Sequence, residues 1–263
     1  MTTIRQLRRL TRLLVVVWWL QLRMLAVSAF EGFMQIVWPL IFATSALLIF
    51  RANGDQQVLI YAGLGAAAMG IWSAMATTAS NMLQEERWAG TLELLVASPT
   101  PFSVILLPIA MAMATIGIFS VAATLLWARL LFGIVIPVAN PWAFVTSLLV
   151  TVVSMAMLGF LLSVSVVRYR TAWAIGNLLE FPGWLLCGFL VPVVMLPGWA
   201  RPFSFALAPT WGVAAMRDAA DGNSPWLHAG ICAALGIGYA VVGALISGTV
   251  LTSARRHATL SLT

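Results

Sequence analysis

Residues 102–167 read FSVILLPIAMAMATIGIFSVAATLLWARLLFGIVIPVANPWAFVTSLLVTVVSMAMLGFLLSVSVV and hold a single charged side chain. Two long apolar runs are separated by a short stretch that contains Pro137, Asn140 and Pro141. An apolar run of about 20 residues crosses the hydrocarbon core of a bilayer as a helix, and a cluster of proline and asparagine marks a loop. The stretch therefore predicts two transmembrane helices, over residues 102–126 and 142–167.

The whole chain has the composition of a membrane protein. Of its 263 residues, 62% are hydrophobic and 8% are charged, and the mean hydropathy is +0.99. A soluble domain of this size needs more charged side chains to cover its surface. All the basic residues are arginines, so the net charge of +6 does not indicate a lysine-rich nucleic-acid surface. We expect one membrane domain over residues 1–263, with no appended soluble domain and no nucleic-acid partner.

Four further spans meet the same criterion, at residues 33–50, at 58–83, from about residue 172, and at 227–251. The span at 58–83 is rich in small residues such as Gly65 and Gly70, which let neighbouring helices approach closely. The span that begins near residue 172 is soon interrupted by prolines, and one straight helix cannot hold that many. These prolines are Pro182, Pro192, Pro197, Pro202 and Pro209. The predicted fold class is an all-α membrane protein with six transmembrane helices and with broken or re-entrant helices between spans five and six.

The first residues of the chain combine apolar and basic side chains at helical spacing. Over residues 4–19, Ile4 and several leucines recur at three- and four-residue steps, while arginines occupy the other side. With Trp18 and Trp19 near its end, this pattern is typical of a helix in the headgroup plane. We predict an interfacial helix and lead-in over residues 1–30; the alternative is an irregular start to the first span. A signal peptide is not expected, because no small-residue cleavage site precedes a soluble domain.

The arginines predict the orientation in the membrane, because basic residues are enriched in cytoplasmic loops. With both termini in the cytoplasm, most of the arginines lie inside. The cytoplasmic side then holds Arg5, Arg8, Arg9, Arg12, Arg23, Arg87, Arg168, Arg170, Arg255 and Arg256. The outer side holds Arg51, Arg129, Arg201 and Arg217.

The stretch between spans two and three reads QEERWAGTLELLVASPTP, residues 84–101, and this topology places it in the cytoplasm. Its composition predicts a short amphipathic helix with Trp88, Leu92 and Leu95 on one face and the glutamates elsewhere. Pro99 ends this helix, and the next span begins after it. A charged helix across the inner mouth of a bundle suits contact with a cytoplasmic partner. By physics alone, a plain surface helix fits equally well.

This stretch resembles the type-2 ABC transporter permease family, whose pattern E-R-x-x-G-T-L-E-x-L-x-x-S-P lies between the second and third spans. The residues that match in order are Glu86, Arg87, Gly90, Thr91, Leu92, Glu93, Leu95, Ser98 and Pro99. The resemblance implies that residues 84–101 are a coupling segment, which sits in a groove of an ATPase subunit. The residues expected to make that contact are Glu85, Glu86, Arg87, Trp88, Gly90, Thr91, Leu92, Glu93 and Leu95.

A second resemblance covers GFLVP at residues 188–192, LPGW at residues 196–199, Pro209 and Arg217. These residues are similar to the family's re-entrant region between spans five and six. They imply a re-entrant or extracellular segment over residues 188–217. The amphipathic first helix and the six-span layout agree with the family as well, so the resemblance extends over nearly the whole chain.

The resemblance implies the permease subunit of an ATP-driven exporter in a bacterial plasma (inner) membrane. The chain has no lysine and hence no G-x-x-x-x-G-K-[ST] loop, so ATP and Mg²⁺ are expected on a separate ATPase in two copies. A second permease, identical or related, and membrane lipids complete the expected partners. We expect no catalytic residue, metal or cofactor on this chain. The expected cargo is an amphiphilic drug, antibiotic or lipid; the alternative is a lipid-linked polysaccharide.

Glu180 lies inside the fifth span, where a carboxylate is costly and commonly faces the bundle interior or water. It either contacts the translocation path or the seam between two permeases, or it bonds to Asn177 or a backbone group. The residues predicted for the substrate path or gating are Glu180, Asn177, Trp184, Pro192 and Trp199. A rival from another class is a proton-coupled secondary transporter that uses Glu180 as its proton site.

Other candidate groups indicate packing rather than chemistry. Cys187 and Cys232 lie in apolar runs without a C-x-x-C pair, as small core residues do. Four tryptophans are suited to line an apolar substrate path, namely Trp72, Trp127, Trp173 and Trp184. Packing or anchoring at the membrane interface is the commoner use of such side chains. His228 and His257 stand at opposite ends of the last span, so we do not expect an intramembrane metalloprotease.

Overall fold

The computed structural model describes residues 2–27, 29–51, 56–88, 90, 102–134, 138–166 and 172–257. Within these ranges the chain forms nine α-helices and one short 3-10 helix, Val193–Met195, and it contains no strand. The helices are α1 (Thr2–Val27), α2 (Ala29–Arg51), α3 (Gln56–Trp88), α4 (Phe102–Phe132), α5 (Pro141–Val166), α6 (Ala172–Leu186), α7 (Arg201–Phe205), α8 (Ala208–Asp221) and α9 (Trp226–His257). The predicted all-α class is confirmed for the described residues.

A helix lies at each of the six predicted spans, namely α2, α3, α4, α5, α6 and α9. Among the described residues, three helical stretches are long and apolar enough to cross a membrane. They are Leu106–Phe132, Pro141–Val164 and Trp226–Gly248, and shorter apolar stretches lie at Pro39–Arg51 and Val58–Ser73. The chain is therefore a helical membrane protein, while the count of six crossings stays a prediction.

α3 is the central helix of the bundle. It contacts α2, α4, α5, α6 and α8, and residues 62–72 are all buried. A Cβ atom added at Gly65 would overlap the carbonyl oxygen of Phe189, and one added at Gly70 would overlap Ser120 Oγ of α4. The prediction that small residues of this span permit close helix contact is confirmed at Gly70; at Gly65 the close contact is with Phe189, in the turn that follows α6.

The loop predicted from Pro137, Asn140 and Pro141 precedes α5. The side-chain oxygen of Asn140 accepts a hydrogen bond from Ala143 N at 3.1 Å, and Pro141 is the first helical residue. An N-cap side chain followed by proline satisfies the first turn, which has amide groups without intrahelical acceptors.

The proline-rich region after residue 181 is broken into short pieces, as predicted. α6 includes Pro182 but ends at Leu186, and the 3-10 helix, α7 and α8 follow. α8 ends at Asp221, and Gly222 follows it with a φ of 82°, the left-handed conformation of a glycine just after a helix. Tyr239 of α9 holds the joint between α7 and α8, because its hydroxyl donates to the carbonyl oxygen of Ala206 and accepts from Ala208 N. Whether this region re-enters the membrane stays a prediction.

In the long helices, several hydroxyl groups bond to the backbone of their own helix, and many apolar side chains are exposed. Several hydroxyls donate to the carbonyl oxygen four residues earlier, as in Thr44, Thr115, Thr151 and Ser163. Large apolar side chains are exposed on α4, α5 and α9. This distribution suits a hydrocarbon solvent, in which polar groups must be satisfied inside the protein. Both cysteines are free and buried, as predicted.

α1 packs along the bundle. Its Trp18 Nε1 donates to Thr115 Oγ1 of α4 at 3.1 Å. The predicted helix over residues 4–19 is confirmed, and it extends to Val27. Its position in the headgroup plane stays a prediction.

One end of the bundle gathers three of the four arginines that were predicted to be outside. Buried Leu47, Ala62 and Ala128 join the end of α2, the start of α3 and the end of α4 in one apolar cluster. Arg51 and Arg129 lie at these helix ends, and Arg217 reaches the same end of α3, as described below. We call this end the arginine end; Trp88 lies at the opposite end of α3.

Candidate functional site

The predicted coupling segment begins as part of α3. Residues 84–88 are the last residues of that helix, so Glu85, Glu86, Arg87 and Trp88 belong to a helix of the bundle. Gly90 then adopts a left-handed conformation with φ of 71°, as a glycine just after a helix end does. A single helix over residues 84–99 is therefore wrong, because an α-helix cannot continue through that conformation.

This helix end also changes the expected apolar stripe. Trp88 ends α3, so it does not share one continuous helix with Leu92 and Leu95. The structure describes the backbone of residues 85–88 but not their side chains. Four residues that follow lie wholly outside the described ranges, namely Thr91, Leu92, Glu93 and Leu95. Their contact with an ATPase stays a prediction.

Glu180 finds its partner on the central helix. Its Oε1 accepts a hydrogen bond from Ser73 Oγ of α3 at 2.6 Å. The length is that of a charge-assisted bond between a hydroxyl and a carboxylate. Glu180 is partly buried, so the carboxylate bridges α3 and α6 without being sealed in the core. Asn177 lies on the same helix, and its side chain is outside the described part.

Trp184, one turn after Glu180, packs against aromatic rings. Its ring centroid lies 4.6 Å from that of Phe42 and 5.0 Å from that of Phe181, both edge to face. Trp184 and Trp72 are buried, and Trp127 donates to Thr44 Oγ1 at 2.9 Å. These contacts place the three tryptophans between helices of the bundle, and the path role of Trp184 stays a prediction. Trp173 lies outside the part whose side chains are described.

Arg217 of α8 binds the turn that follows α6, residues 187–190. Its Nη1 donates to the carbonyl oxygen of Gly188 at 3.0 Å, and its Nη2 donates to that of Phe189 at 2.9 Å. Nη2 also lies 3.3 Å from the carbonyl oxygen of Tyr61. The guanidinium carbon is 3.3 Å from the centroid of the Tyr61 ring, a cation–π contact. Tyr61 Oη donates to Gly188 O at 2.9 Å.

We call these contacts the Arg217 clamp: Arg217, Tyr61 and the carbonyl groups of Gly188 and Phe189. Burial lowers the pKa of Arg217 to about 10, and the neighbouring Tyr61 opposes this shift. The guanidinium therefore remains protonated at neutral pH. The clamp is a fixed positive charge held by carbonyl dipoles at the arginine end.

A cavity of about 300 Å³ lies beside the clamp. Its lining includes Tyr61, Pro192, Trp211, Arg217, Asp218 and His228. His228 Nδ1 is 2.6 Å from Asp218 Oδ2, and the rings of His228 and Trp211 lie 5.6 Å apart. Pro192, predicted for the path, thus lines a cavity, whereas Trp199 is 74% exposed. Of the other predicted path residues whose side chains are described, Glu180, Trp184 and Trp199 do not line this cavity.

Charged groups and hydrogen bonds make up the described part of the site. Within the described ranges, no three His, Cys, Asp or Glu side chains are placed to hold a metal ion. The two groups that sequence analysis missed are Ser73 and Tyr61. In the sequence, Ser73 and Tyr61 stand out only as polar side chains within a span of mostly small and apolar residues.

One family model, that of the ABC-2 type transporter, matches residues 11–220. The match runs from Thr11 in α1 to Ala220 in α8, and it includes the polar segment after α3 and the Arg217 clamp. No curated protein matches the chain significantly. The chain belongs to the ABC-2 type transporter family, as a membrane transport subunit that is not itself catalytic.

Proposed function

We propose that this chain is the membrane half of an ATP-driven exporter and that residues 84–101 receive the push of the ATPase. The continuity of α3 carries this proposal: one helix runs from Gln56 at the arginine end to Trp88. A helix packed on five neighbours moves as a rigid element, so a displacement of one end also displaces the helices packed against it. The family works with an ATPase partner, which favours ATP over a proton gradient as the energy source.

We further propose that α6 lies at the seam with a second permease. Leu178, Phe181 and Leu185 are exposed on this helix, and their three- and four-residue spacing places them on one face. Partly buried Glu180 adds a carboxylate to this apolar helix. Such a face suits either a second permease or a cargo with an apolar body and a polar group. An amphiphilic drug, antibiotic or lipid fits this chemistry; a lipid-linked polysaccharide is the alternative.

The proton-coupled rival is the weaker candidate. It needs a protonatable group at position 180 and transport that survives loss of ATP, and the bond from Ser73 to Glu180 speaks neither for nor against it. Membership of an ABC family conflicts with a secondary transporter.

The test is a charge reversal in the polar segment. Glu93→Arg is expected to leave the permease inserted and stable, because residue 93 follows the end of the central helix. It should lower both ATPase co-purification and ATP-dependent efflux of a fluorescent amphiphile from proteoliposomes by about tenfold, since reversed charges at a docking rim repel.

The matched control is Asp55→Arg, the same charge reversal in the short stretch between α2 and α3 at the opposite end of α3. This variant should bind the ATPase and transport as the wild type does. Co-purification of Glu93→Arg at the wild-type ratio, with transport intact, would exclude a coupling role for Glu93.

A further inference from the structure

We propose that Arg217 and Tyr61 are positioning residues that lock the 187–190 turn to α3, so that a push on residues 84–88 moves the arginine end of the bundle. The inference rests on the proposed function, because it assigns the residues that transmit the movement of the ATPase along α3 to the arginine end of the bundle. It concerns a connection between α3, α6 and α8 that no sequence pattern indicated.

The clamp is built on carbonyl groups that the end of α6 leaves without helical donors. The last carbonyls of a helix and those of the following turn have no intrahelical partner and need another donor. Gly188 O takes both the Tyr61 hydroxyl and Arg217 Nη1, and Phe189 O takes Arg217 Nη2. A protonated guanidinium strengthens these bonds in surroundings of low polarity. The turn is therefore fixed to α3 and α8 together.

Steric contact prevents α3 from sliding past the turn. Gly65 lies one turn after Tyr61 on α3, and its backbone meets the carbonyl oxygen of Phe189 so closely that a Cβ atom would overlap it. The Phe189 side chain is fully buried, and its ring lies edge to face with Trp72 at 6.5 Å. A displacement of α3 must then carry the turn with it or break the clamp.

The clamp lies far from Trp88, the end of α3 next to the proposed ATPase contact. At a rise of 1.5 Å per residue, the backbone of Tyr61 is about 40 Å from that of Trp88. This length exceeds the hydrocarbon core of a bilayer, which is about 30 Å thick. One continuous helix thus joins the coupling segment to the clamp, and the clamp transmits the movement to α8 and to the cavity beside it.

Arg201 provides a matched control. Its guanidinium also binds backbone carbonyls in the same broken region, with Nη2 at 2.7 Å from Val194 O and Nε at 3.2 Å from Leu196 O. These bonds stay within the segment and none of them reaches α3. Arg201→Lys therefore makes the same chemical change as Arg217→Lys without touching the proposed connection.

The experiment measures amide hydrogen exchange in the permease–ATPase complex, with and without a non-hydrolysable ATP analogue. In the wild type, the nucleotide should change exchange both at residues 84–101 and at residues 183–191. Arg217→Lys keeps the charge but replaces the planar fork by one ammonium nitrogen, which cannot reproduce the separate contacts of Nη1 and Nη2. It should preserve the response at 84–101 and reduce the response at 183–191 about fivefold, within the range that coupling variants show. Tyr61→Phe, which keeps the ring under the guanidinium, should give a smaller loss in the same direction.

A merely structural role predicts a different pattern. Exchange at 183–191 would then rise equally with and without nucleotide in Arg217→Lys, and the nucleotide-dependent difference would persist; this would overturn the inference. A wild-type turn that ignores nucleotide while 84–101 responds would also overturn it and leave the proposed function standing. Absence of any response at 84–101 in the wild type would refute both. Arg201→Lys must respond as the wild type does at both places, and a loss there would remove the specificity on which the inference depends.

Discussion

The bond between Ser73 and Glu180 joins the central helix to α6, and a double-mutant cycle measures its contribution to stability. Ser73→Ala removes the donor. Glu180→Gln removes the charge and keeps an acceptor of the same size. Ser73 also has a second interaction, whose loss occurs in both arms that contain Ser73→Ala. The cycle cancels that loss and isolates the part of the pair energy that depends on the charge of the carboxylate, because the amide that replaces it still accepts from Ser73.

The expected magnitude follows from the type of bond and its surroundings. At 2.6 Å, the bond has the length of a charge-assisted contact, which contributes about 1.5–3 kcal/mol in soluble proteins. Hydrogen bonds between membrane helices average only about 0.6 kcal/mol, because the unfolded helices find other partners in the bilayer. Glu180 is partly buried, so water screens it in part. We expect a coupling energy of about 1 kcal/mol, between these two limits.

The assay is the free energy of unfolding of the four proteins, measured by titrating mixed micelles with SDS. A coupling energy below about 0.3 kcal/mol, the usual error of additivity, would refute the reasoning. Transport separates the two roles of the carboxylate. If Glu180 only holds α3 on α6, Glu180→Gln should lower efflux no more than Ser73→Ala does, because its amide still accepts from Ser73. A much larger loss for Glu180→Gln, at normal expression, would assign the carboxylate to the substrate path.

Three further predictions concern the same bundle. Gly65→Ala should lower the free energy of unfolding by about 2 kcal/mol, because the added methyl group meets backbone that cannot move aside. Gly238→Ala, where nothing lies near the added methyl group, should raise the free energy of unfolding by about 0.5 kcal/mol. Equal effects of the two substitutions would contradict this reasoning. Tyr239→Phe should cost about 1–2 kcal/mol and speed amide exchange where α7 meets α8, since one hydroxyl both donates and accepts there; unchanged exchange would exclude this role. Reporter fusions should place Thr263 in the cytoplasm and Asp55 outside, and an external Thr263 would defeat the predicted topology.

Several features of the fold could be predicted from the sequence because they depend on local chemistry. Each apolar run predicted a helix at the place where one lies, since a segment in hydrocarbon must satisfy its own backbone. Asn140 and Pro141 marked the start of α5, and the prolines after residue 181 marked the broken region. The small residues at 65 and 70 indicated close packing, although they did not say against what. The order of residues in the polar segment after α3 indicated the family.

The partners of the polar side chains were decided by the tertiary structure alone. Glu180 bonds to a serine 107 positions earlier, and Arg217 reaches a carbonyl 156 positions earlier. The sequence required only that each buried polar group be satisfied, and Asn177 was an equally suitable partner for Glu180 on that criterion. The end of α3 at Trp88, which separates that residue from Leu92 and Leu95, was also missed, because amphipathic spacing continues through Gly90 whereas the backbone does not. Spacing along the chain determines which faces helices present; the packing of those faces determines which distant polar groups meet.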